Sequence, residues 1–424
     1  MAREYKDSGI DWIGLIPKEW SVELIGNNIK EIKDKNDDSS DDNALQFKMG
    51  SIISKKGGDS KYNPESLVAY TKVQKGDIVI NGLNLSFDFI SQRVGLVREK
   101  GVITSTYLTL RPSSLLYSDF VNYLFKAYDN CKAFHGMGRG LRQILSYREL
   151  RNQKLIYPSL IEQQKIADYL DKVCGEVDEM VALQETMIEE LKAYKQSVIT
   201  EAVTKGLNPN VPMCDSGIDW IGEIPEHWST TKIKKIARTN SGSTPRNISD
   251  GENSNIVWIR TTDINDDVVY DSSLHLTSEE YSSASCPMLD EGTCVVAMYG
   301  GGGTIGKSGM LGVKATINQA LCSMEVGDSF TGEYLFCILR SVRYYWMKYA
   351  VGTRKDPNIN QEIVRNMIIP FPPIDEQRTI ASYLDTKCSE IDALIALKEA
   401  KIDELKEYKK SVIYEYVTGK KEVV

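Results

Sequence analysis

The segment with the clearest chemical potential is a glycine-rich stretch in the second half of the chain. Residues Gly301–Ser308 read GGGTIGKS and match GxxxxGK(S/T), the pattern of P-loops that cradle nucleotide phosphates. A P-loop must open a helix, whose N-terminus helps to hold the phosphates. Here Gly309 and Gly312 follow, which oppose a helix and favour another strand, and the first half of the chain has no counterpart. We therefore expect a glycine-rich hairpin in which Lys307 can touch a phosphate, and a P-loop nucleotide-binding protein stays the alternative.

Other catalytic signatures are missing from the sequence. Asp356-Pro357-Asn358-Ile359 differs from the DPPY-type motif of adenine methyltransferases, and no glycine-rich strand–loop–helix suits S-adenosylmethionine. No PD…ExK nuclease pattern occurs, and the three His have no evident nucleophile partner. The eight Cys are scattered without a CxxC pair, which argues against a metal site and fits a reducing cytoplasm. These gaps together favour a binding protein without a cofactor over an enzyme.

Positive charge is concentrated at two matching places in a chain of net charge −8. Residues 132–154 hold six Lys/Arg against one acid, and residues 340–356 hold five against one acid, interleaved with Tyr and Trp. This pattern is typical of a polyanion binder, with a solvated basic face as the alternative. Arg reads guanine edges in DNA and Asn or Gln reads adenine. The residues predicted to contact DNA are Arg139, Arg142, Gln143, Ser243, Thr244, Arg246, Lys307, Arg354, Lys355 and Asn358.

The chain is an internal repeat, which explains why the basic stretches match. Residues 7–21 (DSGIDWIGLIPKEWS) and 215–229 (DSGIDWIGEIPEHWS) are identical at 12 of 15 positions. Residues 157–204 align with residues 371–418 at 26 identical positions of 48. Between these shared blocks the two halves differ. A shared frame with two different inserts predicts two similar modules that perform two different recognition tasks.

The two long shared blocks carry a heptad-like apolar stripe on a charged background, which predicts two long helices. Ser159 and Glu162 have capping-box spacing at the start of the first, and Gly206 and Gly419 stand where helices stop. We expect the helices to pack antiparallel as a coiled coil that is also a spacer and a docking surface. The residues predicted to pack between them are Leu170, Val177, Ile188, Leu191, Leu384, Ile391, Ile402 and Leu405.

The variable regions have mixed character, and the predicted fold class is α+β. Gly76–Ile80 and Gly292–Met298 read as buried strands, and Ser118–Lys126 and Gly332–Tyr349 as short helices. The predicted organisation is a first recognition domain at 1–156, a helix at 157–206, a second recognition domain at 207–370 and a helix at 371–424. No run of 18 apolar residues occurs, so we expect no membrane span. The first residues have no apolar core of a signal peptide.

These motifs resemble those of Type I restriction–modification specificity (S) subunits. The resemblance covers nearly the whole chain and lies in DSGIDWIGxIPxxW, SGSTP, GGGGTIGKSG, INQAL and PPIDEQRTIASYLD. It implies that each variable region is a target-recognition domain reading one half of a split double-stranded DNA site, with the coiled coil setting the gap. It also implies that two methyltransferase (M) subunits dock on the shared regions with S-adenosylmethionine, and that restriction (R) subunits bring ATP chemistry. All catalysis would then lie in the partners, in the cytoplasm.

One departure from the family pattern affects the first half. No SGSTP-like segment starts its variable region, where residues 36–42 read NDDSSDD. The resemblance therefore implies a different recognition-domain subtype there, and residues cannot be carried over between halves. Two rivals remain beside the P-loop protein: a coiled-coil scaffold without a DNA role, and a standalone methyltransferase, against which the missing motifs argue.

Overall fold

The computed structural model describes residues 3–55, 67–86, 89, 92–138, 143–245, 254–284, 286–300, 303–352 and 357–423. The chain forms two compact units, which we call the first unit (residues 1–185 and 400–424) and the second unit (residues 186–399). Each unit contains one set of strands and a part of each long helix. The mixed α+β class predicted from the sequence is confirmed.

The helices are α1 Ile25–Asn28, α2 Ser118–Asn130, α3 Tyr147–Leu150, α4 Leu160–Lys205, α5 Ile233–Ile236, α6 Ser278–Ala284, α7 Gly332–Ser341, α8 Gln361–Asn366 and α9 Ile374–Val417. Short 3-10 turns follow α2 and α7, at Ala133–Gly136 and Tyr345–Lys348.

The strands of the first unit are β1 Tyr5–Asp7, β2 Leu15–Pro17, β3 Ser21–Leu24, β4 Ile29–Glu31, β5 Leu45–Lys48, β6 Ser51–Ser54, β7 Thr71–Val73, β8 Ile78–Ile80, β9 Val94–Leu96, β10 Gly101–Ile103, β11 Leu108–Pro112 and β12 Lys154–Tyr157. Those of the second unit are β13 Met213–Asp215, β14 Glu223–Pro225, β15 Ser229–Lys232, β16 Ala237–Ser241, β17 Ile256–Ile259, β18 Asp267–Val269, β19 His275–Leu276, β20 Cys294–Ala297, β21 Ser308–Leu311, β22 Thr316–Ile317, β23 Leu321–Val326, β24 Val351–Gly352, β25 Pro357–Asn358 and β26 Ile368–Phe371.

The first unit is built on an antiparallel four-stranded sheet in the order β4-β11-β8-β9. Helix α2 contacts β9 and supplies a large part of the core, with Phe120, Leu124 and Tyr128 fully or almost fully buried. Apolar residues at this helical spacing form one face, and burying that face against the sheet is what stabilises the helix. Strand β8 is buried along its whole length, as its run of Ile and Val predicted.

The second unit has a five-stranded sheet in the order β16-β23-β20-β21-β18. All neighbours are antiparallel except β18 and β21, which are parallel. Helix α7 contacts β20 and β21 and buries Tyr334, Leu335 and Ile338. The helix ends at Ser341, so the prediction of one helix over Gly332–Tyr349 is corrected. The β-branched and aromatic residues that follow are weaker helix formers, and the 3-10 turn lets Trp346 become fully buried.

The two long helices are confirmed, at 46 residues for α4 and 44 for α9. Gly206 and Gly419 follow their ends with φ of +74° and +68°, the left-handed conformation expected of helix-terminating glycines. Of the residues predicted to pack, Leu191 is partly buried and the others are buried. Only half of the predicted capping box forms. The Glu162 amide donates to Ser159 Oγ at 3.4 Å, whereas the Glu162 carboxylate accepts from Trp20 Nε1 at 3.2 Å.

Within each unit, α4 and α9 run antiparallel. In the first unit the ring of Tyr169 on α4 lies against the ring of Tyr416 on α9, with centroids 4.5 Å apart and planes tilted by 40°. Further along α4, Asp178 accepts from Lys409 at 2.6 Å. In the second unit Met187 contacts Lys398 at 3.2 Å and Lys195 donates to Asp392 at 2.6 Å. In both units the partner number on α9 falls as the number on α4 rises. Over the described residues, none of the helices is both long and apolar enough to cross a bilayer.

Candidate nucleic-acid interface

The ends of four strands meet at one edge of the sheet in the second unit. Ser241 at the end of β16 pairs with Cys322, and Ala297 at the end of β20 pairs with Leu321. Ser308, the first residue of β21, pairs with Val296. The connections that leave this edge therefore lie side by side. We define the second rim as the described residues of these connections, 242–245, 298–300, 303–307 and 318–320, together with residues 357–360, where the Ile359 amide donates to the Met298 carbonyl.

Two connections of the second rim cross in close contact. Gly242 lies against the Ile317 carbonyl, and a Cβ at position 242 would stand 1.9 Å from that oxygen. The Ser243 amide donates to the same carbonyl at 3.1 Å. The Thr244 hydroxyl donates to the Gln319 side chain, and both residues are exposed. Ser243 and Thr244 thus lie at the rim, while Arg246 lies outside the described residues. Gln319 is a rim residue that the predicted list missed, although the INQAL motif that contains it was noticed.

Strands β20 and β21 form the predicted hairpin, and residues 303–307 of the glycine-rich stretch belong to its turn, whereas Gly301 and Gly302 lie outside the described residues. The Ala297 amide donates to the Lys307 carbonyl at 2.8 Å, and the Gly306 amide donates to the Ala297 carbonyl at 3.0 Å. Gly303 and Gly306 have φ of +81° and +77°, which non-glycine residues rarely adopt. Ser308 then begins a strand instead of a helix. The helix N-terminus that a P-loop needs is therefore not formed here.

Ser308 is fully buried and bonded within the protein. Its amide and hydroxyl donate to Asp266 Oδ1 at 2.9 and 3.0 Å. A P-loop Ser or Thr must instead offer its hydroxyl to a nucleotide-bound Mg²⁺. Lys307, directly before it, is partly exposed at the rim. The arrangement gives Lys307 a fixed backbone and a side chain within reach of solvent.

Asn358 lies beside the hairpin. It is exposed, and the amide of the next residue, Ile359, donates to the Met298 carbonyl at 2.9 Å. Asn360 then caps α8, its side chain accepting from the Ile363 amide at 2.9 Å. Arg354 and Lys355 lie outside the described residues. The structure therefore brings four of the predicted DNA contacts, Ser243, Thr244, Lys307 and Asn358, to one edge of one sheet.

The basic stretch that begins in the last turn of α7 is partly engaged within the protein. The Arg343 guanidinium pairs with Asp266, and the side chains are 24% and 18% exposed. Arg340 lies over the Phe336 ring at 5.4 Å, and Lys348 lies over the Tyr345 ring at 4.4 Å. Lys348 is exposed, and so are aromatic and apolar residues of the same segment. Tyr344 is 74% exposed and Met347 is 50% exposed.

The first unit has a corresponding edge, which we call the first rim and which consists of residues 81–86, 92–93 and 143–145. Ile80 at the end of β8 pairs with Val94 and with Leu108. The Leu85 amide donates to the Gln143 carbonyl at 3.3 Å, and the Leu145 amide donates to the Gly82 carbonyl at 2.9 Å. Gln143, with φ of +47°, therefore lies at this rim. Arg139 and Arg142 lie outside the described residues.

Arg93 anchors the first rim from inside. It is almost completely buried, and its guanidinium donates to the carbonyls of Asn81 at 3.0 Å and Leu83 at 2.7 Å. Its amide donates to Asp129 Oδ2 at 2.8 Å, and burial raises the pKa of the Asp129 carboxyl. On the surface, the Phe89 ring stacks on His135 with centroids 4.8 Å apart. In the described part of the chain, no group of three or more His, Cys, Asp or Glu is placed to hold a metal ion.

Comparison with known proteins identifies this arrangement. A family model described as "Type I restriction modification DNA specificity domain" matches residues 72–193 and 225–407. The chain belongs to this family. Each matched segment of this specificity protein runs from one recognition domain into the long helix that follows, as the internal repeat predicted.

Curated relatives extend the similarity to the whole chain. The Type I restriction enzyme MjaVIII specificity subunit of Methanocaldococcus jannaschii is 24% identical over 419 residues, covering 96% of this chain and 93% of the relative. The putative MjaX specificity subunit of the same organism is 21% identical and covers 96% and 95%. The EcoBI specificity subunit of Escherichia coli is 26% identical over 270 residues, covering 59% and 54%.

Two solved structures share the fold of the specificity protein. One, from work described as the structural basis underlying complex assembly and conformational transition of the type I R-M system, has a TM-score of 0.71 at 14% identity and covers 95% of this chain and 98% of that one. The HsdS subunit from Thermoanaerobacter tengcongensis has a TM-score of 0.53 at 15% identity, with the same coverage.

Proposed function

We propose that this chain is the sequence-reading subunit of a Type I restriction–modification complex and that each recognition domain reads one half of an asymmetric, bipartite DNA site. The observation that carries the proposal is the second rim. Three residues chosen from sequence for DNA contact, Ser243, Thr244 and Lys307, belong to connections that leave the same sheet edge, and a fourth, Asn358, lies beside them, next to the bond from the Ile359 amide to the Met298 carbonyl. Hydroxyl, amide and ammonium groups on adjacent loops are suited to base edges and phosphates.

The first rim supports a different half-site for the first domain. It offers Gln143 in place of the SGSTP loop, and the basic residues Arg139 and Arg142 precede Gln143 in sequence. Because base readout depends on which donors and acceptors are presented, two rims of unlike composition favour two unlike half-sites. An asymmetric target follows from this difference.

The shared helices serve the spacing and docking roles in the proposal. A helix of 46 residues is about 69 Å long at 1.5 Å per residue, which is about two turns of DNA. We propose recognition domains at residues 1–156 and 207–370, with helices at 157–206 and 371–424 that hold two methyltransferase subunits. Those subunits bring S-adenosylmethionine, and restriction subunits bring ATP chemistry. The chain itself then performs no catalysis and acts in the cytoplasm, where the DNA is.

The proposal is tested by sequencing the methylome of a host with and without this gene, with the methyltransferase partner expressed in both. We expect N6-methyladenine at one split, asymmetric motif only when the gene is present. A methylome that does not change, with both proteins shown to be expressed, contradicts the proposal.

A domain-resolved version sharpens the test. Replacing residues 230–367 by the variable region of another specificity protein should change one half of the motif and leave the other half and the gap unchanged. Replacing residues 22–153 should change the opposite half. A motif in which both halves change after one replacement would contradict the one-domain, one-half-site assignment.

A further inference from the structure

Asp266 joins three separate segments at the second rim. It precedes β18 in a left-handed conformation, with φ of +63°, and its amide donates to the Ser308 carbonyl at 2.8 Å. One carboxylate oxygen accepts from the amide and hydroxyl of Ser308, at 2.9 and 3.0 Å. The other oxygen accepts from the Arg343 guanidinium. The carboxylate therefore ties the end of the glycine-rich hairpin to the basic segment that follows α7.

The two segments that Asp266 joins also touch each other directly. A Cβ on Gly306 would stand 2.6 Å from the Arg343 carbonyl and 2.6 Å from Trp346 Cδ1. Trp346 itself is fully buried. Lys307 lies between this contact and Ser308, so its backbone is fixed on both sides. Backbone hydrogen bonds from the Ala297 amide to the Lys307 carbonyl and from the Gly306 amide to the Ala297 carbonyl hold the hairpin as well, so the place of Lys307 at the rim does not rest on the Asp266 carboxylate alone.

Asp266 has a second, electrostatic effect, because it occupies Arg343. A cation that reaches a phosphate strengthens binding to every DNA sequence alike and so adds nothing to discrimination. Arg343 lies among exposed residues such as Tyr344 but is only 24% exposed and is paired with a carboxylate. An arginine held in this way is withheld from the DNA backbone.

We infer that Asp266 is a specificity-determining positioning residue of the second domain, which holds the Arg343 guanidinium and keeps it off phosphates. The inference rests on the proposed DNA-reading function and deepens it. It predicts that the carboxylate lowers sequence-independent affinity and raises the ratio of specific to non-specific binding. Asp266 does not itself touch DNA in this account.

The test measures DNA binding by the full chain in complex with its methyltransferase subunits. Two duplexes are titrated over a range of salt, one with the motif found by methylome sequencing and one with that motif scrambled. For Asp266→Asn we expect tighter binding to the scrambled duplex, a salt dependence of log K steeper by about 0.9, and a several-fold loss of discrimination. Asp290→Asn is the matched control, because it removes the same charge and frees Lys314 in an exposed pair of the same domain.

Arg343→Ala completes the test. Alone, it should leave the salt dependence on the scrambled duplex unchanged, because Arg343 does not reach phosphates in the native protein. Combined with Asp266→Asn, it should abolish the gain in non-specific affinity. An Asp266→Asn complex that binds both duplexes as Asp290→Asn does would overturn the inference. So would a salt slope that falls by about 0.9 in Arg343→Ala alone, a readout that remains if Asp266→Asn does not fold.

Binding of the wild-type complex to the two duplexes distinguishes a failure of this inference from a failure of the proposed function. If the wild-type complex does not distinguish the two duplexes, the proposed function fails. If it does distinguish them and the variants behave as the control does, only the role of Asp266 fails.

Discussion

Arg93 in the first unit and Lys307 in the second stand 214 residues apart, which is also the offset between the two long shared blocks. Each comes directly before the strand that returns from its rim, since Val94 pairs with Ile80 and Ser308 pairs with Val296. Arg93 is almost completely buried and donates to rim carbonyls, whereas Lys307 is partly exposed. At matching positions of the repeat, Arg93 therefore holds a loop from inside the protein, whereas Lys307 presents a cation to solvent.

At the start of each long helix the two units use the same contacts. Gln163 in α4 and Gln377 in α9 are fully buried and also 214 residues apart. Gln163 accepts from the Tyr117 amide at 2.8 Å and Gln377 from the Thr331 amide at 3.0 Å, each at the start of the helix on the sheet. Each recognition domain is therefore fixed on its long helix by the same pair of contacts, although the sheets of the two domains differ in strand number and direction.

The largest expected effect on stability comes from removing the buried glutamine, Gln163 or Gln377, that joins each recognition domain to its long helix. We call these two sets of contacts the common joint. Gln377 also donates to the carbonyls of Ser329 at 3.2 Å and Pro372 at 2.9 Å. Gln377→Leu leaves these buried groups without their partner, and we expect it to lower the free energy of unfolding by about 3 kcal/mol. Chemical denaturation of the chain in its methyltransferase complex measures the loss.

Gln163→Leu should have an effect of the same size, because Gln163 makes the matching bonds to Leu115 and Pro158. Gln164→Leu is the control, since Gln164 is exposed on the next position of the same helix. A change of under about 0.5 kcal/mol for both buried positions would show that the common joint does not stabilise the units.

Much of the frame could be predicted from sequence, because its signals are local. The helix stops at Gly206 and Gly419, the apolar stripe around Leu170 and Leu384, and the strand at Ile78–Ile80 all depend on nearby residues. The joint could not be predicted in this way. Gln163 looks like an ordinary polar residue on a charged helix until its partner at Tyr117, 46 residues earlier, is known.

The rims were predictable in part. Residue type and the family resemblance selected Ser243, Thr244, Lys307 and Asn358, and their common location depends on strand register that the sequence does not display. Asp266 and Gln319 were missed because their roles come from contacts 42 and 75 residues away in sequence. The basic stretches predicted where positive charge lies but not which of the cations are free to bind DNA, as the pairing of Arg343 with Asp266 illustrates.

The second largest effect should come from Arg93. Arg93→Met removes the hydrogen bonds that the buried guanidinium donates to the Asn81 and Leu83 carbonyls, and we expect a loss of about 2 kcal/mol in the free energy of unfolding. Arg98→Met is the control, because Arg98 belongs to the same domain but pairs at the surface with Asp119 and is 56% exposed. Equal stability of the two variants would contradict the anchoring role of Arg93.

Lys307→Met tests the exposed cation that stands at the position matching Arg93. Because Lys307 presents its cation at the rim, we expect little change in stability and weaker binding to DNA of any sequence. The salt dependence of log K should become shallower by about 0.9, the value for one phosphate contact. Lys314→Met is the control, since Lys314 follows the opposite end of β21. An unchanged salt slope for Lys307→Met would remove Lys307 from the interface.

The smallest effect on stability is expected for an ion pair between α4 and α9 that occurs at matching positions in both units but is exposed to solvent. Lys195 pairs with Asp392 and Lys409 pairs with Asp178, and the carboxylate side chains are 52% and 65% exposed. Asp392→Asn and Asp178→Asn should each cost under about 0.5 kcal/mol in thermal or chemical unfolding, because surface ion pairs are screened by water and salt. A loss above about 2 kcal/mol for either would mean that polar pairs, in addition to the buried apolar stripe, hold α4 against α9. The agreement of the two units would then rest on charge as well as on packing.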